Sequence, residues 1–297
     1  AWIVIEFLRS ILFTGFPWLI SGTMLADTLI DGWTPIIGAQ GNTFLLLLLS
    51  SFIFLFIKEI KQFKTALLPA IFIFILLVSS FSLKKIEWTE FDGSLKASII
   101  QTNLELEDKW SSLGVVKTKS MMERAINDGD EGEIIVFPET ALIFSQNEIK
   151  DWLAYIDHKA EQKNITLITG IIEREGEFKV RNRILGLGLA NSHYDKVKLV
   201  PFGEFIPFEG ITGNLFDILG LQLTNTLPGE HVKSINAGNI RVSASICYEI
   251  AFPELIRKTA SESNLIVTIS NDTWFGSSYG PIQHLEIAQN RALEHKK

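Results

Sequence analysis

The apolar positions of this chain fall into two regimes. As far as residue 83 they form long continuous runs; beyond it they come in short bursts between polar stretches. Residues 36–57 and 66–83 contain no charged side chain. Each run is long enough to cross a hydrocarbon core, which needs roughly 17–25 residues of helix. Two such runs in tandem fit poorly inside a soluble core, so both are read as membrane-spanning helices. Pro69 falls in the first turn of the second, where a missing N–H is tolerated. The link between them, KEIKQFK, carries Lys58, Lys61 and Lys64. Short lysine-rich loops stay in the cytoplasm, which puts everything from Lys84 onward outside it. A weaker apolar stretch at 1–20 carries Glu6 and Arg9, spaced so that they could pair on one helix face. The TGFPW run and Trp33 have the character of interfacial aromatic anchors. The expected division is a membrane region at 1–83 and an extracytoplasmic domain at 84–297.

From residue 95 the pattern changes. Residues 95–101, 133–137, 165–170, 183–190, 241–246 and 264–269 read as short buried strands. Helical patterns at 109–127, 147–163, 248–260 and 282–294 lie between several of them. Strands alternating with helices predict an α/β domain. Polar residues appear where strands end: EIIVF runs into Pro138-Glu139, RVSASI into Cys247-Tyr248-Glu249, and NLIVTIS into Asn271-Asp272. Sites in α/β sheets gather beyond the carboxyl ends of strands, so these three ends predict one convergent site.

Composition narrows the chemistry. The net charge is −7 with no basic stripe, which argues against nucleic acid as a partner. The single cysteine excludes an internal disulfide and leaves a thiol as a candidate nucleophile. Cys247 lies between a strand and an apparent helix, where dipole and free N–H groups lower a thiol pKa; the plainer reading is a small buried hydrophobe. Glu139, after an apolar strand and a proline, suits a general base; it could equally be a helix-cap neighbour. Lys196 and Lys198, in SHYDKVKLVPFGEFIPFE, are both placed to stabilise a thiolate and an oxyanion, or to be solvated loop charges. Gly276-Ser277-Ser278-Tyr279-Gly280 fits G-x-S-x-G, but Ser278 is not directly between strand and helix, as a nucleophile elbow requires. The five histidines show no metal-ligand spacing, so neither a metal nor another cofactor is called for.

Taken together, FPETA (137–141), HYDKVKLVPFGEFIPFE (193–209), ICYEIAFPEL (246–255) and SNDTWFG…GPIQHLEIAQNRALE (270–294) resemble the nitrilase superfamily. Within it they are similar to the apolipoprotein N-acyltransferases, as are QTNLELEDKW (101–110) and FLRSILFTGFPW (7–18). The resemblance implies an α-β-β-α sandwich preceded by transmembrane helices. It implies that Glu139 is the general base, that Lys196 rather than Lys198 stabilises the tetrahedral intermediate, and that Cys247 attacks. Glu204 matches a supporting glutamate, Tyr248 and Glu249 match a C-Y-E motif whose Tyr248 N–H could complete an oxyanion hole, and Trp110 matches a mobile substrate-loop tryptophan. The implied reaction moves an acyl chain from a membrane phospholipid to Cys247 as a thioester. The α-amine of a diacylglyceryl cysteine on an apolipoprotein then takes it. The setting implied is the bacterial cytoplasmic membrane, crossed several times, with the catalytic domain on the periplasmic side. The family also carries more membrane helices before Ala1, and further strands and a last membrane helix after Lys297, so both ends read as cut. Two rivals remain: a soluble-type amidase hydrolysing a C–N bond, against which the apolar helices weigh, and a non-catalytic membrane scaffold, against which the intact Glu, Lys and Cys weigh.

Overall fold

The computed structural model describes residues 1–104, 106–176, 179–207 and 225–297. Phe208 and Glu209, the end of the long lysine-bearing motif, and Glu105 lie outside them. Contacts divide the chain into two units, residues 1–91 with 279–297, and residues 92–278.

The first unit holds helices α1 (Trp2–Ile11), α2 (Thr34–Glu59), α3 (Phe63–Lys84) and the chain's last helix, Gly280–His295. Both long helices have the length and apolarity to cross a membrane. Leu76 is buried against Leu45, Leu46 and Leu49, and Phe52 stacks on Phe72 at 3.9 Å. The other faces are bare: Phe54, Leu68, Phe74 and Ile75 are exposed, an apolar area that suits lipid rather than water. Glu6 and Arg9 do not pair. The Glu6 carboxylate accepts from Trp2 Nε1 at 2.9 Å, Ser21 N at 3.0 Å, Ser21 Oγ at 2.6 Å and Thr43 Oγ1 at 2.8 Å. Arg9 donates to the Leu19 carbonyl at 2.9 Å. A buried carboxylate takes the nearest fixed donors, and those come from Trp2 one turn back and from the segments carrying Ser21 and Thr43, not from Arg9. Glu6 thus ties α1 to the Ser21 turn and to α2.

Helix α2 is interrupted at Gly38, whose φ of 64° is open to glycine at no steric cost. The break frees the Ala39 N–H, which donates to Glu294 Oε1 at 2.8 Å. Glu294 also pairs with the buried Arg291 at 2.6 Å. The last helix therefore caps the second part of α2. Asn290 adds a bond to the Thr23 carbonyl at 2.7 Å, and Trp18 Nε1 one to Gln283 at 3.0 Å. These contacts hold residues 279–297 in one unit with the N-terminal helices.

The second unit is layered. Strands β1 (Ala97–Ile99), β2 (Ile134–Val136) and β3 (Thr166–Glu175) are parallel; β4 (Lys179–Gly188) and β5 (His193–Asp195) continue antiparallel, and β6 (Asn225–Thr226) pairs with β4. A second sheet runs β7 (Ile235–Ala237), β8 (Ile240–Ile246), β9 (Leu265–Ile269). Side chains alternate across each strand, and the alternation builds two cores. Ile134, Val136, Ile168 and Ile184 face Val242, Ala244, Ile246, Val267 and Ile269 between the sheets. Ile135, Leu167, Ile171 and Leu187 face outward onto Met122 and Ile126 of a helix at Ser112–Asp128, and onto Leu153 and Ile156 of one at Lys150–Gln162. On the far side of the second sheet, Ser243 bonds Thr259 of a helix at Pro253–Ala260. The order is helix, sheet, sheet, helix.

Three elements differ from the sequence pattern. The helix expected at 248–260 is a 3-10 turn, Cys247–Ala251, then a helix from Pro253. Proline bars its predecessor from helical backbone, and Phe252 sits at φ −95°, ψ 99°. The helix expected at 109–127 is split by a turn at Trp110, where Ser111 caps the next helix by accepting from Gly114 N at 3.0 Å. The strand expected to be buried at 95–101 is an edge, with Ile99 83% exposed.

Candidate active site

Glu139 stands just past β2. Pro138 and Thr140 turn the chain there, Thr140 with φ 51°. The turn rests on Gly170 of β3, whose N–H donates to the Pro138 carbonyl at 3.2 Å. A Cβ on Gly170 would lie 2.3 Å from Thr140 N and 2.7 Å from Glu139 Cα, so only glycine lets the glutamate sit so close. The Glu139 carboxylate is buried. Its Oε1 accepts from Asn182 Nδ2 at 2.6 Å and its Oε2 from Asn271 N at 2.9 Å.

Lys196 follows β5 and is 1% exposed. Its Nζ donates to Glu204 Oε1 at 2.8 Å and lies 3.9 Å from Glu139 Oε1. Burial alone would lower its pKa; the Glu139 and Glu204 charges outweigh it, and the ammonium is held above its ordinary value. Glu204 is fixed in turn by Val200 N–H at 2.7 Å. Lys198, equally eligible from the sequence, lies over the Phe252 ring at 4.6 Å. Lys196 is the lysine that meets Glu139.

Cys247 follows β8 and opens the 3-10 turn with φ 52°, a conformation that costs a non-glycine residue of the order of 1 kcal/mol or more and recurs at functional turns. The expected lowering of its pKa is not found. Burial and the nearby Glu139 charge push the thiol up to about 12, against the pull of Lys196 and a hydrogen bond with Ser270. A thiol at a short 3-10 turn gains little from a dipole, and the Glu139 and Asp272 charges oppose the pull of Lys196.

Glu249 is fully buried and joins the pieces. Its Oε1 accepts from Tyr194 Oη at 2.8 Å, Val197 N at 2.7 Å and Lys198 N at 2.9 Å; its Oε2 accepts from Ile246 N at 2.8 Å. Burial pushes this carboxyl up to about 7, with the bonds from Lys198, Ile246 and Tyr194 and the Lys196 charge pulling the other way. The residue fastens the segment carrying Lys196 to the turn carrying Cys247. Tyr248 is buried edge-on against Phe252 at 5.0 Å, so its ring is core and only its main chain is available to a substrate. Trp110 is 53% exposed, which excludes a core role. The neighbouring Lys109 donates to the Glu139 carbonyl at 3.2 Å, and burial lowers its pKa. Ser278 follows a 3-10 turn, Asp272–Phe275, and is not at a strand-to-helix junction.

Asn182, Tyr194 and Lys109 escaped the sequence reading. Asn182 lies inside a strand and Tyr194 beside the lysine it supports, and neither carries a local signal; Lys109 looks like an ordinary helix charge until it meets the Glu139 carbonyl.

Residues 1–52 match the model of the apolipoprotein N-acyltransferase N-terminal domain. Curated apolipoprotein N-acyltransferases of Vibrio parahaemolyticus and Pseudomonas aeruginosa are 32% and 31% identical over 99% of this chain. The chain spans 60% and 58% of their lengths. Among solved structures, Nit3 of Saccharomyces cerevisiae, of branch 10 of the nitrilase superfamily, is similar at 19% identity and a TM-score of 0.49, covering 68% of this chain and 72% of that one. The carbon-nitrogen hydrolase model matches residues 96–297, which takes in every strand that carries the cluster, and the chain belongs to the carbon-nitrogen hydrolase family.

Proposed function

We propose that this chain carries the acyl-transfer chemistry of an apolipoprotein N-acyltransferase. The observation that carries the reading is the convergence of Glu139, Lys196 and Cys247 in a chain whose first 52 residues match that enzyme's N-terminal domain. Cys247 Sγ attacks the ester carbonyl of a membrane phospholipid while its proton passes to Glu139. The carbonyl oxygen gathers negative charge, held by the Lys196 ammonium and the Tyr248 N–H. The C–O bond then breaks, and Glu139 returns the proton to the departing alcohol, a lysophospholipid. In the second half the α-amine of a diacylglyceryl cysteine attacks the thioester, Glu139 takes its proton, and the C–S bond breaks to restore the thiol. A thiol held near pKa 12 is no preformed thiolate, so the base must act during attack. Glu204 and Glu249 hold the lysine in place. Amide hydrolysis is the rival reading, favoured by the carbon-nitrogen hydrolase match; water-soluble amide turnover without lipid dependence would support it.

Glu139→Gln in the full-length parent is expected to slow thioester formation from phospholipid by about 10²–10⁴, the usual worth of a general base. Lys196→Ala should cost about 10²–10³, and Cys247→Ser should leave no thioester. Near-parental acylation of Cys247 in either of the first two variants would overturn the roles.

The orientation follows from Lys58 in the last turn of α2, Lys61 in the link and Lys64 in the first turn of α3: this junction faces the cytoplasm and residues 92–278 the periplasm, in a bacterial cytoplasmic membrane. A cysteine introduced at Lys61 should resist an impermeant thiol reagent added outside intact cells. Labelling there would reverse the topology.

Trp110 serves substrate entry, its exposed indole suited to the headgroup level of a bilayer. Trp110→Ala should leave folding within about 0.5 kcal/mol, as for an exposed site, and slow thioester formation in bilayers well below the parental rate. Unchanged acylation, or a loss of several kcal/mol of stability, would remove that role.

A further inference from the structure

The Glu139 carboxylate has a second partner besides lysine, and it comes from an unexpected place. Asn182 belongs to β4, paired across β3 with Ile172 and one residue before the Arg183–Asp195 step of β4 and β5. Its Nδ2 donates to Glu139 Oε1 at 2.6 Å. Its carbonyl accepts the Lys196 N–H at 2.8 Å. One residue therefore grips the carboxylate with its side chain and the lysine with its main chain. The position is itself pinned: Arg183 makes a bidentate pair with Asp195, at 2.6 and 3.0 Å, and reaches Gln146 at 2.6 Å. The amide can face Glu139 only with its NH₂, because its oxygen would repel the carboxylate. That orientation leaves Asn182 Oδ1 buried with no hydrogen-bond partner among the described residues. An unpaired buried acceptor is expensive, and here it is tolerated for the sake of one bond.

We infer that Asn182 is a positioning residue of the reaction: its N–H aims the Glu139 carboxylate at the Cys247 thiol and keeps that carboxylate as the acceptor of the proton. This rests on the reading of Glu139 as the base. Oε1 is held by Asn182 beside Lys196, and Oε2 by the Asn271 N–H, so the plane of the carboxylate is fixed at both ends. The charged and titratable groups around this point are Lys196, Glu204, Lys109, Cys247 and Asp272. Among the described residues no other side-chain amide donates to Glu139.

The test uses the full-length parent and 4-nitrophenyl butyrate, with the burst of 4-nitrophenol reporting acylation of Cys247 from pH 5 to 9. Asn182→Asp preserves shape and removes the donor. Its burst rate at pH 8 should fall about tenfold to a hundredfold, as for a lost hydrogen bond to a charged group. As pH falls its rate should recover toward the parental one, because the new carboxyl then takes a proton and can donate to Glu139. Asn182→Ala should show the same loss without recovery, at unchanged KM. A loss equal at every pH in Asn182→Asp, or a parental rate in Asn182→Ala, would overturn the inference. Glu139→Gln is run alongside. If it keeps the parental burst, the base assignment has failed; if it is slow while both Asn182 variants behave as the parent, the inference alone has failed.

Discussion

A single buried ammonium organises this site. Lys196 lies out of reach of water between Glu204 at 2.8 Å and Glu139 at 3.9 Å. Removing an ion from water costs several kcal/mol unless partners take it up, and deleting one partner of such a pair typically costs about 3–5 kcal/mol. The strands on either side are therefore obliged to deliver two carboxylates to one point. That requirement accounts for the glycine under the Glu139 turn, for the Glu204 turn closed by Val200 N–H, and for the fully bonded Glu249 behind both.

The same charge arrangement decides how the sulfur works. Burial, with the Glu139 and Asp272 charges set against that of Lys196, pushes the Cys247 thiol up. On the proposed reading the nucleophile is made at the moment of attack, with Glu139 as acceptor and Lys196 as the charge awaiting the oxyanion. A thiolate standing ready would need the opposite balance. The positive φ at Cys247 and the Tyr248 N–H that follows belong to this geometry, since the turn presents sulfur and main chain together.

Much of this was legible in the residues. The uncharged runs mark α2 and α3, and the alternation of apolar positions marks the strands whose ends carry Glu139, Cys247 and Asn271. What the pattern could not carry was long-range. Asn182 and Tyr194 look like ordinary strand residues until β4 and β5 are paired and the Cys247 turn is packed behind them. Lys196 and Lys198 are indistinguishable by spacing; only the fold turns one to Glu139 and the other onto Phe252. The thiol departs from its expected pKa direction for a similar reason. A helix N-terminus is expected where Pro253 allows only a short turn, and the Glu139 charge that opposes ionisation lies far away in sequence. Glu6 likewise found its donors at Ser21 and Thr43, not at the nearby Arg9.

The central claim is that Cys247 takes an acyl chain from a lipid through base-assisted attack. Intact-mass spectrometry of the full-length parent, after incubation with phospholipid vesicles, tests it most directly. The account predicts one added acyl group on Cys247, released by neutral hydroxylamine as a thioester should be. An unmodified Cys247 in protein that otherwise retains its fold, or an acyl group carried on another residue, would contradict it.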